Sequence, residues 1–411
     1  MANTLLTPDM ITDEALMILH QKANFIGNCN RQYDDRFARD GAKIGETLRV
    51  RLPVKYTTRS GATLQAQNTV ERKVTLPVAT QIGVDMNFSS SDLTMKIQDF
   101  SERYIRPAIS QLAATLDNQM MMLAYQQTAN YQGISTMSFD AMSQAQQILA
   151  ENLAPPDPRA FTLTPYSQRH FITDTKGLFQ SSENIKEQYR EGMLGRTAGF
   201  DVYENTLNPN HTVGTYAGTP RSGSSSVTTT QGNPGTGNAW AETSDIVTDG
   251  WSATTLNAGD IITFDGVYAV HAETKQNLGY LQRFAVTTQV SDTAGDLVMN
   301  LRPAVIYGGA YKNVTNGIAN NTTINVVGTT GQVLRQDFAF HRDAYIFASV
   351  DLEDVSKYGA WGSRRRFENI SMRIARQYDI NNDNVPCRID ILWGGCASYP
   401  ELGVRKLSAI S

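Results

Sequence analysis

Apolar side chains change their period several times along this chain, and each change marks a different element. The longest regular pattern is Asp99–Tyr131, DFSERYIRPAISQLAATLDNQMMMLAYQQTANY, with apolar positions at Ile105, Ile109, Leu112, Leu116, Met120 and Leu123. That i, i+4, i+7 rhythm draws one stripe along a helix. Ala108, Ala113, Ala114 and Ala124 favour helix and let neighbours approach closely. A helix over the whole stretch is roughly 50 Å long at about 1.5 Å per residue, beyond the usual three turns. Pro107 either kinks it or marks the first turn of its main segment, so the firmest helix runs from 107 to 128. Ile109, Leu112, Leu116, Met120 and Leu123 form the expected core of this spine, with strands from both ends of the chain drawn across it.

Before the spine, residues 9–28, DMITDEALMILHQKANFIGN, read as an amphipathic helix capped by Thr12, with Ile18, Leu19, Lys22 and Phe25 along one face. A polar segment, CNRQYDDRFARDGAKIGET, follows. A terminal helix on a polar extension reads as an arm that gains stability by lying on something else. Residues 47–58 then alternate, with Leu48, Val50, Leu52, Val54 and Tyr56 on one face of a strand, and Pro53 argues against a central sheet position. A second alternating run, VTLPVATQIGVDMNF, is separated from it by the polar stretch RSGATLQAQNTVERK. The pair reads as an extended hairpin whose tip carries Arg59, Glu71, Arg72 and Lys73. These four are candidate contacts to a neighbouring subunit; a plain solvated loop is the alternative.

After the spine, SFDAMSQAQQILAENLAPPDPRA reads as a helix with Ser138 as N-cap and Pro155-Pro156 as its stop. A strand at Phe161–Leu163, a helix start at Thr164-Pro165, a helix and loop over 176–198 and a strand in GFDVYENTL give strand–helix–strand alternation. The pattern breaks near Leu207. Residues 208–257 are rich in Gly, Ser, Thr and Asn and read as a linker or mobile surface loop. Beyond it come only strands, in DIITFDGVYAVHAE, LGYLQRFAVTTQVS, DLVMNLRPAVI and TTINVVGT, spaced as in a small barrel or sandwich. The block ends near Arg335 and reads as an insertion, because mixed patterning resumes in FHRDAYIFASVDLED, SRRRFENISMRIARQYDIN and VPCRIDILWGGCASYPELGVRKL.

Composition narrows the function. A chain of 411 residues has room for about two or three domains. Its 18 % charged residues and net charge of −4 include no basic domain of the kind a dedicated nucleic-acid binder carries. No apolar run is long enough to span a membrane, and MANTLLTPDM lacks the charged and apolar regions of a signal peptide. Cys29, Cys387 and Cys396 show no Cys-x-x-Cys spacing and are expected to be reduced and buried. His20, His170, His211, His271 and His341 have no metal-ligand spacing, and no phosphate-binding glycine loop or Gly-x-Ser-x-Gly elbow occurs. Asp34 with Asp35, and Asp379 with Asp383, could hold a cation; solvated loop acids are the plainer reading. The run Arg364, Arg365, Arg366 suits phosphate contact, a solvated face or intersubunit ion pairs. No catalytic, cofactor-binding or metal-ligating residue is expected, and the chain does not read as an enzyme.

The order of these stretches resembles a known family. DEALMILHQKANFIGNCNRQYDDRFA, ETLRVRLPVKYTTRSG with TQIGVDMNF, FSERYIRPAISQLAATLDNQMM and AGFDVYEN are together similar to the P-22-like coat proteins of short-tailed phages. LNAGDIITFDGVYAV with LQRFAVTTQV looks like that family's inserted β-domain, and CRIDILWGGCASYPELGVRKL like its C-terminal strand. The resemblance implies an α+β Hong-Kong-97-like capsid fold. It divides into an N-terminal arm (1–46), an extended hairpin loop (47–90), a peripheral domain with the spine helix (91–135), an axial α/β domain (136–206), an inserted all-β barrel (207–336) and a return to axial and peripheral domains (337–411). It implies a major capsid protein self-assembling into pentamers and hexamers of an icosahedral shell. The partners it implies are a scaffolding protein, a portal protein and packaged double-stranded DNA held without sequence specificity; no cofactor and no membrane are involved. The expected place is the virion, assembled in the host cytoplasm. Two rival readings are the shell of a cellular nanocompartment and, more remotely, an enzyme with a β-rich binding domain.

Overall fold

The architecture is described from a computed structural model. It describes residues 19, 23–31, 47–67, 71–89, 106–175, 196–223, 241–353, 355–359, 361–367 and 370–410. The beginnings of the arm helix and of the spine pattern, Asp34, Asp35, residues 68–70, most of 176–198 and the stretch 224–240 lie outside the described residues. The chain divides into two compact units, one of Met1–Arg49, Thr75–Met121 and Tyr345–Cys396, the other of Val50–Val74, Met122–Ala344 and Ala397–Ser411.

The first unit is built on a five-stranded sheet. Tyr345–Val350, Asn384–Ala397, Ile370–Arg376 and Trp361–Phe367 follow one another in that order, and Thr80–Ser89 pairs with Asn384–Ala397. That last pairing is antiparallel and runs from Ser89 opposite Asn384 to Thr80 opposite Trp393. Short helix α1 (Asn24–Asn28) adds Phe25, whose ring meets that of Tyr345 at 5.8 Å. Helix α2 (Arg106–Gln127) carries Pro107 in its first described turn. Ile109, Leu112, Ala113, Leu116, Met120 and Met121 are buried along one stripe. Gly395 lies beneath it, so close that a Cβ there would stand 2.6 Å from Met120 Sδ. The stripe therefore packs closely on Asn384–Ala397 at Gly395, where an added side chain would have to displace the Met120 thioether.

In the second unit a seven-stranded sheet takes the order Tyr131–Ile134, Gly403–Ala409, Val333–His341, Arg159–Leu163, Phe200–Glu204, Arg196–Thr197, with Asn210–Thr212 also paired to Val333–His341. Arg159–Leu163 is buried at every position, as a central strand covered on both faces must be. Helices α3 (Phe139–Glu151) and α4 (Pro165–Thr175) cover it, and Met142, Leu149, Phe161, Phe171 and Phe200 share one core. Ser138 caps α3, its hydroxyl accepting from the Ala141 N–H at 3.1 Å.

The same unit holds a six-stranded antiparallel sheet in the order Ile324–Val326, Ile261–Val270, Asn277–Val286, Leu297–Arg302, Ser244–Trp251, Gly218–Ser222. Its two outer strands are bridged. Ser222 N–H donates to Thr322 O at 3.0 Å, Asn321 N–H donates to Ser222 O at 2.7 Å, and Arg221 faces Thr323. Ile246, Trp251, Phe264, Phe284, Met299 and Leu301 fill its interior. The chain enters and leaves this block side by side, with Asn210, His211 and Thr212 opposite Arg335, Leu334 and Val333.

Candidate subunit-contact surfaces

The hairpin begins as a two-stranded ladder of Thr47–Leu52 with Arg72–Pro77. Val50, Leu52, Val74 and Leu76 are buried, while Arg51, Lys73 and Thr75 face solvent. Beyond Pro53 the chain leaves the ladder and residues 56–66 are exposed, with Tyr56 63 % and Leu64 81 % accessible. A reciprocal clasp closes the tip: Thr57 N–H donates to Gln67 Oε1 at 3.0 Å, and Gln67 Nε2 donates to Thr57 O at 2.6 Å. Arg59 donates to Gly61 O inside the same turn. Arg59, Glu71 and Lys73 are exposed. Arg72 is not: it is 7 % accessible, 3.8 Å from Glu401, and lies over the rings of Tyr311 and Tyr399. Strand parity explains this correction. Arg72 shares its face with Val74 and Leu76, so alternation sends its stem inward where a charge alone suggested outward.

The arginine run lies on Trp361–Phe367, at one edge of the five-stranded sheet. Arg364 is tied within its own chain, donating to Leu352 O at 2.9 Å, with Asp351 3.8 Å away; Arg365 is exposed and Arg366 half-buried. Register places Arg364 opposite Arg373, and Arg373 opposite Asp390. Asp390 is 1 % accessible, and it binds Arg373 at 2.7 Å and Arg388 at 2.8 Å. Gly83 faces Asp390 on the next strand, where a Cβ would meet its carboxylate at 2.4 Å. A charge this deeply buried is tolerated only when paired, and here two guanidiniums compensate it.

Along α2, Ile109, Leu112, Leu116 and Met120 are buried, and Leu123 is half-buried. The inward stripe continues through Ala113, Asp117, Met121 and Ala124, spaced by fours and threes, so Leu123 falls beside it and is not a core position. Asp117 is wholly inaccessible; its carboxylate accepts the N–H of Ile26 at 2.9 Å and of Phe25 at 3.3 Å. It satisfies the first turn of α1, whose donors have no helical partner. The reading from sequence missed Asp117 and Asp390, and Asp117 at least was marked by its place among the buried positions of the helix.

Other charges are also interior. Lys406 is 1 % accessible and donates to the carbonyls of Gly133, Ser135 and Leu407 at 3.1, 2.6 and 2.8 Å. Burial holds its pKa down at about 8, against a smaller upward pull from Asp337 opposite it. Asp337 is pushed up, chiefly by burial. His211 meets Asp260 at 2.7 Å, and Asp260 also accepts the N–H groups of Gly214 and Asn257. Asp379 accepts from Asn381 and Asn382, and Asp383 from Tyr378, so both acids serve their own loop. Among the described residues no three His, Cys, Asp or Glu side chains converge as metal ligands. Cys29, Cys387 and Cys396 are buried, and none of them is in a disulfide among the described residues.

The buried charges Asp117, Asp260, Asp390 and Lys406 are spent on internal ties, and the hairpin tip is left outside the fold. The chain matches the family model of the P22 coat protein, gene protein 5, over residues 42–407, and it belongs to that family. It is a major capsid protein of a bacteriophage, a component of the virion that assembles with its own copies into a shell, and not an enzyme. No curated protein matches its sequence. Among solved structures it is similar to one from Mycobacterium phage Che8 (TM-score 0.49, 12 % identity, covering 93 % of this chain and 90 % of that one). The capsid of cyanophage P-SCSP1u (0.44, 12 %, 89 % and 84 %) and that of Helicobacter pylori bacteriophage KHP30 (0.43, 10 %, 89 % and 84 %) are also similar.

Proposed function

We propose that the chain builds an icosahedral shell of pentamers and hexamers with the Hong-Kong-97-like fold, enclosing double-stranded DNA. The observation that carries this is the family match, which spans nearly all of the chain, from 42 to 407. The six-stranded sheet with bridged edges, entered and left through adjacent strands, supports an inserted β-barrel over 207–336. The remaining divisions are the arm at 1–46, the hairpin loop at 47–90, the spine domain at 91–135, and the axial and peripheral parts at 136–206 and 337–411. Arg59, Glu71 and Lys73 on the hairpin, and Arg365 at the sheet edge, are the exposed charges suited to register one subunit on the next. Repetition of such weak contacts around closed rings gives a stable shell without any single strong one. A scaffolding protein and a portal protein are the implied assembly partners, in the host cytoplasm, and the packaged DNA is held without sequence readout.

Electron microscopy of particles isolated with and without nuclease treatment tests this. Closed icosahedral particles that protect genome-length double-stranded DNA are the expected result. Particles too small for a genome, isolated with an enzyme inside, would replace this reading with that of a nanocompartment shell.

A further inference from the structure

In the second unit a cavity of about 140 Å³ opens beside the base of the hairpin. Its charged lining comprises Lys55, Arg72, Arg302 and Lys312 against Glu242 and Glu401. Arg302 pairs with Glu242 at 2.9 Å, and Arg72 stands 3.8 Å from Glu401. Those two pairs use both acids. Lys55 and Lys312 are left over: neither ammonium has a hydrogen bond or ion pair among the described residues, and Glu401 and Glu273 act on Lys55 only from beyond ion-pair distance. A third lysine backs them. Lys275 Nζ donates to Ala272 O at 2.7 Å and to Lys312 O at 3.1 Å. Burial, and then the charges of Lys55 and Lys312, bring its pKa down to about 8. Burial lowers Lys55 as well.

Lys55 and Lys312 are both half-buried and both line the cavity, and neither has a direct ion-pair partner among the described residues, so a bound anion supplies the contact that the two carboxylates give to the arginines. We propose that this cavity binds a compact oxyanion, a phosphate or a carboxylate group, held between Lys55 and Lys312. Tyr311 shapes the entrance, because its hydroxyl accepts the Lys55 N–H at 3.3 Å and so fixes the backbone from which that lysine projects. The remaining wall mixes small apolar residues, Ala241, Ala269, Ala304 and Ile306, with polar ones, Asn130, Asn152, Gln282 and Asn313.

The test is calorimetric titration of inorganic phosphate into the unassembled full-length protein, against sodium chloride at equal ionic strength. Saturable heat with phosphate and none with chloride is expected. Lys55→Met and Lys312→Met should each weaken phosphate binding by about tenfold or more, since each removes a charge-assisted hydrogen bond. Both variants should melt at or above the wild-type temperature without phosphate, because each relieves like-charge repulsion. Lys55→Arg, which keeps the charge, should keep the binding. Equal heats in chloride, unchanged affinity in both methionine variants, or loss of binding in Lys55→Arg would each overturn the proposal. Repeating the titration on assembled shells separates the two sources. Phosphate binding that persists there identifies a free anion as occupant, and binding that assembly displaces identifies a carboxylate of a neighbouring copy. Only this second arm rests on the shell reading; the titration of unassembled protein stands or fails without it.

Discussion

Asp117 and Ile26, 91 positions apart in sequence, are joined by a 2.9 Å hydrogen bond in which the buried carboxylate accepts the helix α1 N–H. The long helix thereby holds the N-terminal segment by its backbone. Asp117→Leu leaves the N–H groups of Phe25 and Ile26 without an acceptor in an apolar setting. The expected loss is about 1–3 kcal/mol for each orphaned donor. Asp117→Asn, which keeps an acceptor oxygen, should retain most of the stability. Urea unfolding of the unassembled protein compares the two; equal midpoints would show that the hydrogen bonds carry no weight.

Leu116 is wholly inaccessible on the same stripe. Leu116→Ala should destabilise by about 2–5 kcal/mol, the range for a buried leucine that leaves a cavity. An unchanged melting curve would contradict its place in the core.

Lys406 gives a pH signature. Its proton is held less tightly in the folded chain, at about 8, than at the ordinary lysine value of 10.5. Between those values the unfolded chain carries more protons, so this residue's contribution to stability rises with pH across that window and is level below it. Comparing wild type with Lys406→Met isolates the effect. The wild type should gain on the variant by up to about 3 kcal/mol between pH 8 and 10.5, read from urea midpoints. A constant difference across that range would mean that Lys406 is charged at little cost in the fold.

The hairpin tip is expected to serve assembly and not folding. Its order within the subunit rests on the Thr57–Gln67 clasp and the Arg59–Gly61 contact. Deleting 60–70 and closing with a short glycine linker should leave a soluble, folded subunit, since shortening a surface loop changes closure entropy little. Shell formation should be lost or misdirected, and light scattering with microscopy reads it. Closed particles of normal size would exclude the hairpin as a contact element.

Residues 207–336 expressed alone should show β-type circular dichroism and one cooperative melt, because the block has its own core and adjoining ends. A disordered spectrum would show that the strands it pairs with outside the block are needed.

Period was the readable part of this sequence. The apolar stripe of α2 and the alternation in Arg72–Pro77 belong to segments whose partners hardly affect their local pattern. Arg72 was also written in the alternation, on the parity of Val74 and Leu76, but its charge argued the other way. Asp390 was not readable. Its meaning depends on Arg373 across one strand and Gly83 across another, a register that only the assembled sheet creates. The cavity lysines share this property: Lys55 and Lys312 are separated by most of the second unit's sequence, and nothing local marks either one.

The pairing of Thr80–Ser89 with Asn384–Ala397 also has a consequence in time. About 300 residues must be translated between the two, which at about 5–20 residues per second takes roughly 15–60 s. Throughout that interval the earlier strand, with Ile82, Val84, Met86 and Phe88 at alternate positions, waits on the ribosome without its partner. Nascent copies on neighbouring ribosomes of one messenger offer it the same kind of edge. Every copy of a protein made in the numbers a shell demands therefore carries an unpaired strand edge until almost all of its chain has been translated.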